Sequence, residues 1–217
     1  FKFFWNQIAS EFNRIVPAVE MSAVKAAFSD DFSDDDAAVE HMWVDEVNFD
    51  GEKVYGQLLN APNWLQSVDQ GDEVSFTLAQ LEDWISVSTG EVYGGHTVQV
   101  IRSRMDDAER REHDAAWGLD FQPPHKTQIP EIIEEFEVNI AKVLAEQLAK
   151  EPDTVAMKLD EGRTLLHLNA LYGRAPSVRV LLEHGASPDD RCDRGWTALD
   201  YANSLQWDDV IALLPNA

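Results

Sequence analysis

The end of the chain repeats itself. "DEGRTLLHLNALYGRAPSVRVLLEHGASPDD" is followed by "DRGWTALDYANSLQWDDVIALL". Gly162 recurs as Gly195, Thr164 as Thr197 and Leu166 as Leu199, each 33 residues on. A second apolar pattern, Val178, Leu181 and Leu182, recurs as Val210, Leu213 and Leu214 at 32, which implies a turn one residue shorter in the second unit. A period of this size means stacked helical units, each burying one face against its neighbour. Thr164 and Thr197 sit where a hydroxyl caps a helix start. Gly185 suits a helix end that needs a left-handed residue.

The segments "GRTLLHLNA" and "GWTALDYAN" resemble the ankyrin pattern G-x-T-P-L-H-x-A-A. They depart from it in Leu165 and Ala198 at the proline position, and in Asn169 and Asn203 where small residues are common. The resemblance covers about residues 157–217. Two such repeats leave an apolar layer open, and the preceding segment supplies a cover. Ile132, Phe136, Ile140, Val143, Leu144 and Leu148 recur at helical spacing between Pro130 and "KEPD". The expectation for residues 131–217 is an all-α ankyrin-repeat solenoid: a capping helix over 131–150 and two repeats over 157–217.

The first half follows other rules. "FFWNQIASEFNRIV" places Phe4, Ile8, Phe12 and Ile15 on one helical stripe that Pro17 stops. "EHMWVDEVNFDGEKVYGQLLN" reads as two strands joined at Asp50-Gly51, a hairpin signal. "GDEVSFTL" gives a further strand, then a helical turn bearing Leu81 and Trp84. A strand over Thr97 to Arg102 and a charged helix from about Met105 to Trp117 follow. "GLDFQPPHKTQIP", with adjacent prolines, reads as a boundary.

In order along this half, "EHMWV", "GQLLN", "GDEVSFTLAQLEDW" and "YGGHTVQV" resemble the YegJ-like bacterial family known as domain of unknown function 2314. The likeness covers about residues 20–104, and the opening "FFWNQIASEFNRIVPAVEMSAVKAAF" resembles the leader of family members that carry ankyrin repeats. The resemblance implies a small α+β domain over residues 1–122, an antiparallel sheet with flanking helices. It implies no catalytic chemistry and, as one role, toxin immunity.

Composition narrows the function. Forty acidic residues against seventeen basic ones leave a net charge of −23 over 217 residues. Nucleic acid is disfavoured as a partner, because its binding needs Lys and Arg to displace counterions. Anionic membranes are disfavoured for the same reason, and no apolar run approaches the roughly 20 residues that span a bilayer. The opening "FKFF" is too short for the apolar core of a secretion signal. Cys192 is the single cysteine, which excludes an intrachain disulfide and fits a reducing, cytoplasmic setting.

Each candidate site competes with a plainer role. No G-x-S-x-G, P-loop, H-E-x-x-H or G-x-G-x-x-G motif is present, so no catalytic residue is assigned. "DDFSDDD" lacks the turn glycine and closing glutamate of a calcium loop, so no metal and no cofactor are expected. Convergence of His41 and His96 is the feature that would favour an enzyme or small-ligand sensor instead. Trp43, Trp84, Tyr55 and Phe76 alternate as in a half-buried sheet.

"FSDDFSDDDAAVEH" has two readings: a solvated loop leading into a short helix, or a face for a basic protein. For the second, Asp30, Asp31, Asp34, Asp35, Asp36 and Glu40 are the contact residues. On the second repeat, Asp193, Arg194, Trp196 and Trp207 are candidates for partner contact, with packing on the N-terminal domain as the competing role for Trp196. The function that follows is binding of a basic protein, specifically neutralisation of a secreted toxin or effector, with a generic ankyrin adaptor as a further alternative.

Overall fold

The computed structural model describes residues 1–30, 39–124 and 126–214. The chain divides into two compact units, Phe3–Pro130 and the part from Glu131 on.

The first unit is a six-stranded antiparallel sheet of order β4-β3-β2-β1-β5-β6. Its strands are β1 Val19–Phe28, β2 Glu40–Phe49, β3 Lys53–Leu58, β4 Glu73–Thr77, β5 Leu81–Ser88 and β6 Glu91–Gly94. The β2–β3 hairpin turns where the sequence says. Asp50 Oδ1 accepts the amides of Glu52 and Lys53, each at 2.8 Å, and Gly51 takes a φ of 100°.

Helix α1, Lys2–Glu11, covers one face of the sheet. Its Phe4 ring lies 5.4 Å from Trp84 and its Trp5 ring 5.9 Å from Phe49. The expected stripe is shorter than its sequence pattern: Phe4 and Ile8 are buried, but Phe12 is 62% and Ile15 100% exposed. The helix stops before Pro17 because Glu11 turns back on the loop, accepting from the Ala18 amide at 2.8 Å. The opposite face is packed over β1, β5 and β6 by Ala23, Ile85, Val87 and Val92, with Val98 and Phe121 laid across them.

Two expected elements are different in the structure. Residues 97–102 form a helix, α2 His96–Arg102, rather than a strand. Asp83, 1% exposed, decides this: it accepts the His96 amide at 3.0 Å, and the Thr97 amide and hydroxyl at 2.6 Å each. A buried carboxylate that takes the first free amides of a segment caps it as a helix. The expected helical turn at Leu81 and Trp84 is a single 3-10 turn at Leu78–Gln80, after which both residues lie in β5. Helix α3, Asp107–Trp117, starts on an Asp106–Glu109 capping box.

The second unit is helical. α4 Glu134–Lys150 precedes two helix pairs, α5 Leu165–Leu171 with α6 Ala175–Glu183, and α7 Ala198–Ser204 with α8 Asp208–Ile211. Within α4 the buried residues are Glu137, Ala141 and Leu148, while Val143 is 65% exposed. Burying Glu137 follows from Arg174, likewise buried, whose Nε stands 3.7 Å from its carboxylate.

The interhelix turns keep the 33-residue period: Arg174 N donates to Asn169 O and Trp207 N to Ala202 O, both at 3.0 Å. The expected step of 32 is therefore corrected. Leu181 pairs with Leu214, and both are buried.

Candidate protein-binding surface

The acidic run meets the described structure at its two ends. Asp30 accepts from the Gln66 amide at 2.8 Å, the Ser67 amide at 3.2 Å and the Ser67 hydroxyl. The Ser67 hydroxyl and then the Gln66 amide hold the Asp30 carboxyl below its ordinary range. Glu40 accepts from the amide and the side-chain nitrogen of Asn63, both at 2.7 Å. Burial opposes its charge, but the Asn63 donors together with the Trp64 and Leu65 amides outweigh burial and its pKa is lowered. Asp31, Asp34, Asp35 and Asp36 lie outside the described residues, as does most of the expected short helix. Glu40 and His41 open β2.

Glu40 is thus corrected as a contact residue, since it is 5% exposed and spent on its own chain. The two carboxylates instead grip one loop, residues 63–67, between them. That loop presents Trp64, 56% exposed. An indole in that position is a residue that sequence reading missed. "NAPNWLQS" is a turn-rich stretch whose tryptophan is the only hint.

On the second repeat, the loop between α6 and α7 is held from below. His167, 1% exposed, accepts the Thr164 amide at Nδ1 (3.0 Å). Its Nε2 therefore carries the proton and donates to the carbonyls of Asp190 and Trp196, at 3.0 and 3.1 Å. Burial pushes the His167 pKa down, which favours this neutral form.

Asp193 donates its amide to Glu161 O at 2.9 Å and is exposed. Arg194 stands 3.8 Å from Glu161 and 5.3 Å over the Trp196 ring. Trp196 is half-buried, edge-on to Tyr201 at 5.2 Å. Asp193, Arg194 and Trp196 therefore form one braced edge. Trp207 does not join them: it is 5% exposed, donates from Nε1 to Leu171 O at 3.1 Å and lies on Gly173, so it is core.

His41 pairs with Glu82 at 2.7 Å, whereas His96 gives its amide to Asp83. Among the described residues no three His, Cys, Asp or Glu side chains gather around one point. Trp84 and Phe76 are buried, Trp43 is half-buried and Tyr55 is 38% exposed. Among the described residues, no helix is long and apolar enough to cross a membrane.

Comparison with known proteins agrees with both halves of this architecture. Residues 1–121 match the family described as "Uncharacterized protein conserved in bacteria (DUF2314)", and residues 157–202 match ankyrin repeats. The chain is 38% identical over 223 residues to a Neisseria meningitidis serogroup B protein named for its ankyrin repeats, covering 99% of this chain and 88% of that protein. It is 28% identical over 79 residues to YegJ of Escherichia coli strain K12, which covers 36% of this chain and 48% of that protein. With one family model spanning more than half its length, the chain belongs to the DUF2314 family of bacterial proteins, in a form that carries ankyrin repeats behind the family domain.

Proposed function

We propose that this protein acts by binding another protein, and that the partner is basic. The observation that carries the reading is the loop at 63–67. Asp30 and Glu40, at either end of the acidic run, fasten that loop and leave Trp64 exposed beside it. Exposed tryptophan next to charge is the composition of an interface anchor. The net charge of −23 supplies a field that draws in a cationic protein and raises its association rate.

Asp193, Arg194 and Trp196 make a second contact edge on the ankyrin repeats. The finer reading is an immunity role: the partner is a secreted toxin or effector, bound in the cytoplasm, and the acidic face occludes its active site. Catalysis by this chain has no part in it.

Surface-plasmon kinetics with the protein that co-purifies from the native host test the reading. The on-rate should fall steeply between 0.15 M and 1 M salt, as the Debye length shrinks from about 8 to about 3 Å, while the off-rate changes less. Replacing Asp31, Asp34, Asp35 and Asp36 by Asn should slow association. Trp64→Ala should speed dissociation, at a cost of about 2 kcal/mol. Unchanged rates in the four-Asn variant at low salt would reduce the run to a solvated loop. Growth of a host expressing the partner, unrescued by this protein, would remove the immunity role and leave the binding.

A further inference from the structure

Between the pairs Asp45–Gln57 and Asn48–Tyr55, strand β2 sets two residues, Glu46 and Val47, against the single Gly56 of β3. Val47 turns inward and is 6% exposed. Glu46 is forced outward at a φ of 49°, a left-handed conformation that costs a residue with a side chain about 1 kcal/mol or more. Gly56 has no room for a Cβ, which would overlap the Asp45 carbonyl oxygen and stand 2.6 Å from Val44 Cγ1.

A cleft of about 290 Å³ opens over this bulge, lined by Glu46, Asn48, Tyr55, Gln57 and Glu73 among others. The Tyr55 hydroxyl donates to Asp50 at 2.9 Å, which holds the ring in place as one wall. Among the described residues, the side chains of Glu46, Gln57 and Glu73 make no hydrogen bond or ion pair. Glu73 belongs to β4, the edge of the sheet, beyond which no described strand pairs.

We propose that this cleft takes an arginine side chain from an extended segment of the partner, laid along β4 as an added strand. The inference rests on the reading that the partner is a basic protein. A guanidinium offers five donors in one plane and stacks on an aromatic ring. The cleft offers two carboxylates, amide oxygens and the Tyr55 ring in return. Lysine has the charge without the plane and fits less well. Strand addition supplies affinity through the backbone, and a pocket for one alternate side chain supplies specificity. The strain at Glu46 then has a purpose, because glycine there would relax the bulge and lose the carboxylate.

The test uses the isotope-labelled full chain and three peptides, acetyl-Thr-Val-X-Val-Thr-amide with X arginine, lysine or citrulline. The arginine peptide should shift amides at 46–48, 55–57 and 73–75. It should bind roughly tenfold tighter than the neutral citrulline peptide at low salt. Glu46→Gly should raise the Tm yet abolish that preference, and Glu73→Gln, an exposed change, should weaken it.

Equal binding of the arginine and citrulline peptides, shifts elsewhere, or a preference that survives Glu46→Gly would each overturn the assignment. Salt-steered association of the partner without an arginine preference sinks the cleft alone. An arginine preference without salt-steered association upholds the cleft and sinks the acidic run.

Discussion

The two ankyrin repeats build one turn with different chemistry. Position 173 is glycine and position 206, 33 residues on, is glutamine, yet both hold a positive φ, 76° and 55°. The difference lies in what comes next. A Cβ on Gly173 would stand 2.5 Å from Cε2 of the Trp207 indole, which belongs to the following repeat. Gln206 is exposed, so its side chain has room and only the backbone strain remains.

The helix starts differ in the same way. His167 caps its own helix and also reaches the loop of the second repeat through Asp190 and Trp196. Asp200, its counterpart, accepts the Thr197 amide at 2.7 Å and hydroxyl at 2.9 Å and caps its own helix. Gly173 and His167 answer to the repeat that follows them, whereas Gln206 and Asp200 answer to their own turn and helix start.

Substitutions at matched positions put numbers on this contrast. Gly173→Ala adds both backbone strain at a positive φ and a clash with the indole, and should cost about 3 kcal/mol. Gln206→Ala should change stability by no more than about 0.5 kcal/mol. Urea titrations of the full chain, followed by circular dichroism, read both, and equal losses would break the comparison.

Next in size is His167→Ala, at about 2 kcal/mol, because it removes the cap and the bonds to the next loop. His167 also brings a pH signature. Its folded pKa lies below the ordinary 6.5, so the native state binds fewer protons than the unfolded chain. The stability it confers is complete above about pH 6.5 and drains away as pH falls through that value toward the folded pKa. The wild type should therefore lose more stability than His167→Ala between about pH 7 and pH 5, and parallel losses would place the titration elsewhere. Below His167→Ala comes Asp200→Ala, a plain cap loss of about 1 kcal/mol. A cost matching that of His167→Ala would mean that reach into the next loop contributes nothing.

The matched helix starts are legible in the sequence because the repeat is local: a turn glycine, a capping threonine and a leucine recur at one spacing. The matched turns at 173 and 206 are not, because the leucines after them suggest a step of 32 that the turn hydrogen bonds correct to 33. The sheet was legible only where its turns were. Asp50-Gly51 announces its hairpin, but nothing in the sequence announces β1, a central strand. Its buried residues Ala23, Val24 and Ala26 are mostly small, and one of its two neighbours, β5, comes from far along the chain. "TVQVIR" carries β-branched residues that favour a strand, and the carboxylate that makes it a helix lies thirteen residues upstream of His96.

Contact residues divide along the same line. The charge of the acidic run is plain in the sequence. That Glu40 and Trp207 are consumed internally, and that Trp64 and Glu46 face outward, depends on a grip at 63–67 and a bulge that no spacing reveals.

The far edge of the sheet carries one more consequence. β6 is four residues long, and the Gly94 amide at its end donates to Gln128 O at 2.8 Å, from a segment that runs past it. β4, at the other side, has no such cover among the described residues. Fibril growth by sheet extension needs two complementary edges, so that each molecule added offers a fresh one. A sheet short and occupied on one side can recruit a single strand and then stops. The arrangement lets an acidic protein keep an adhesive edge without polymerising along it.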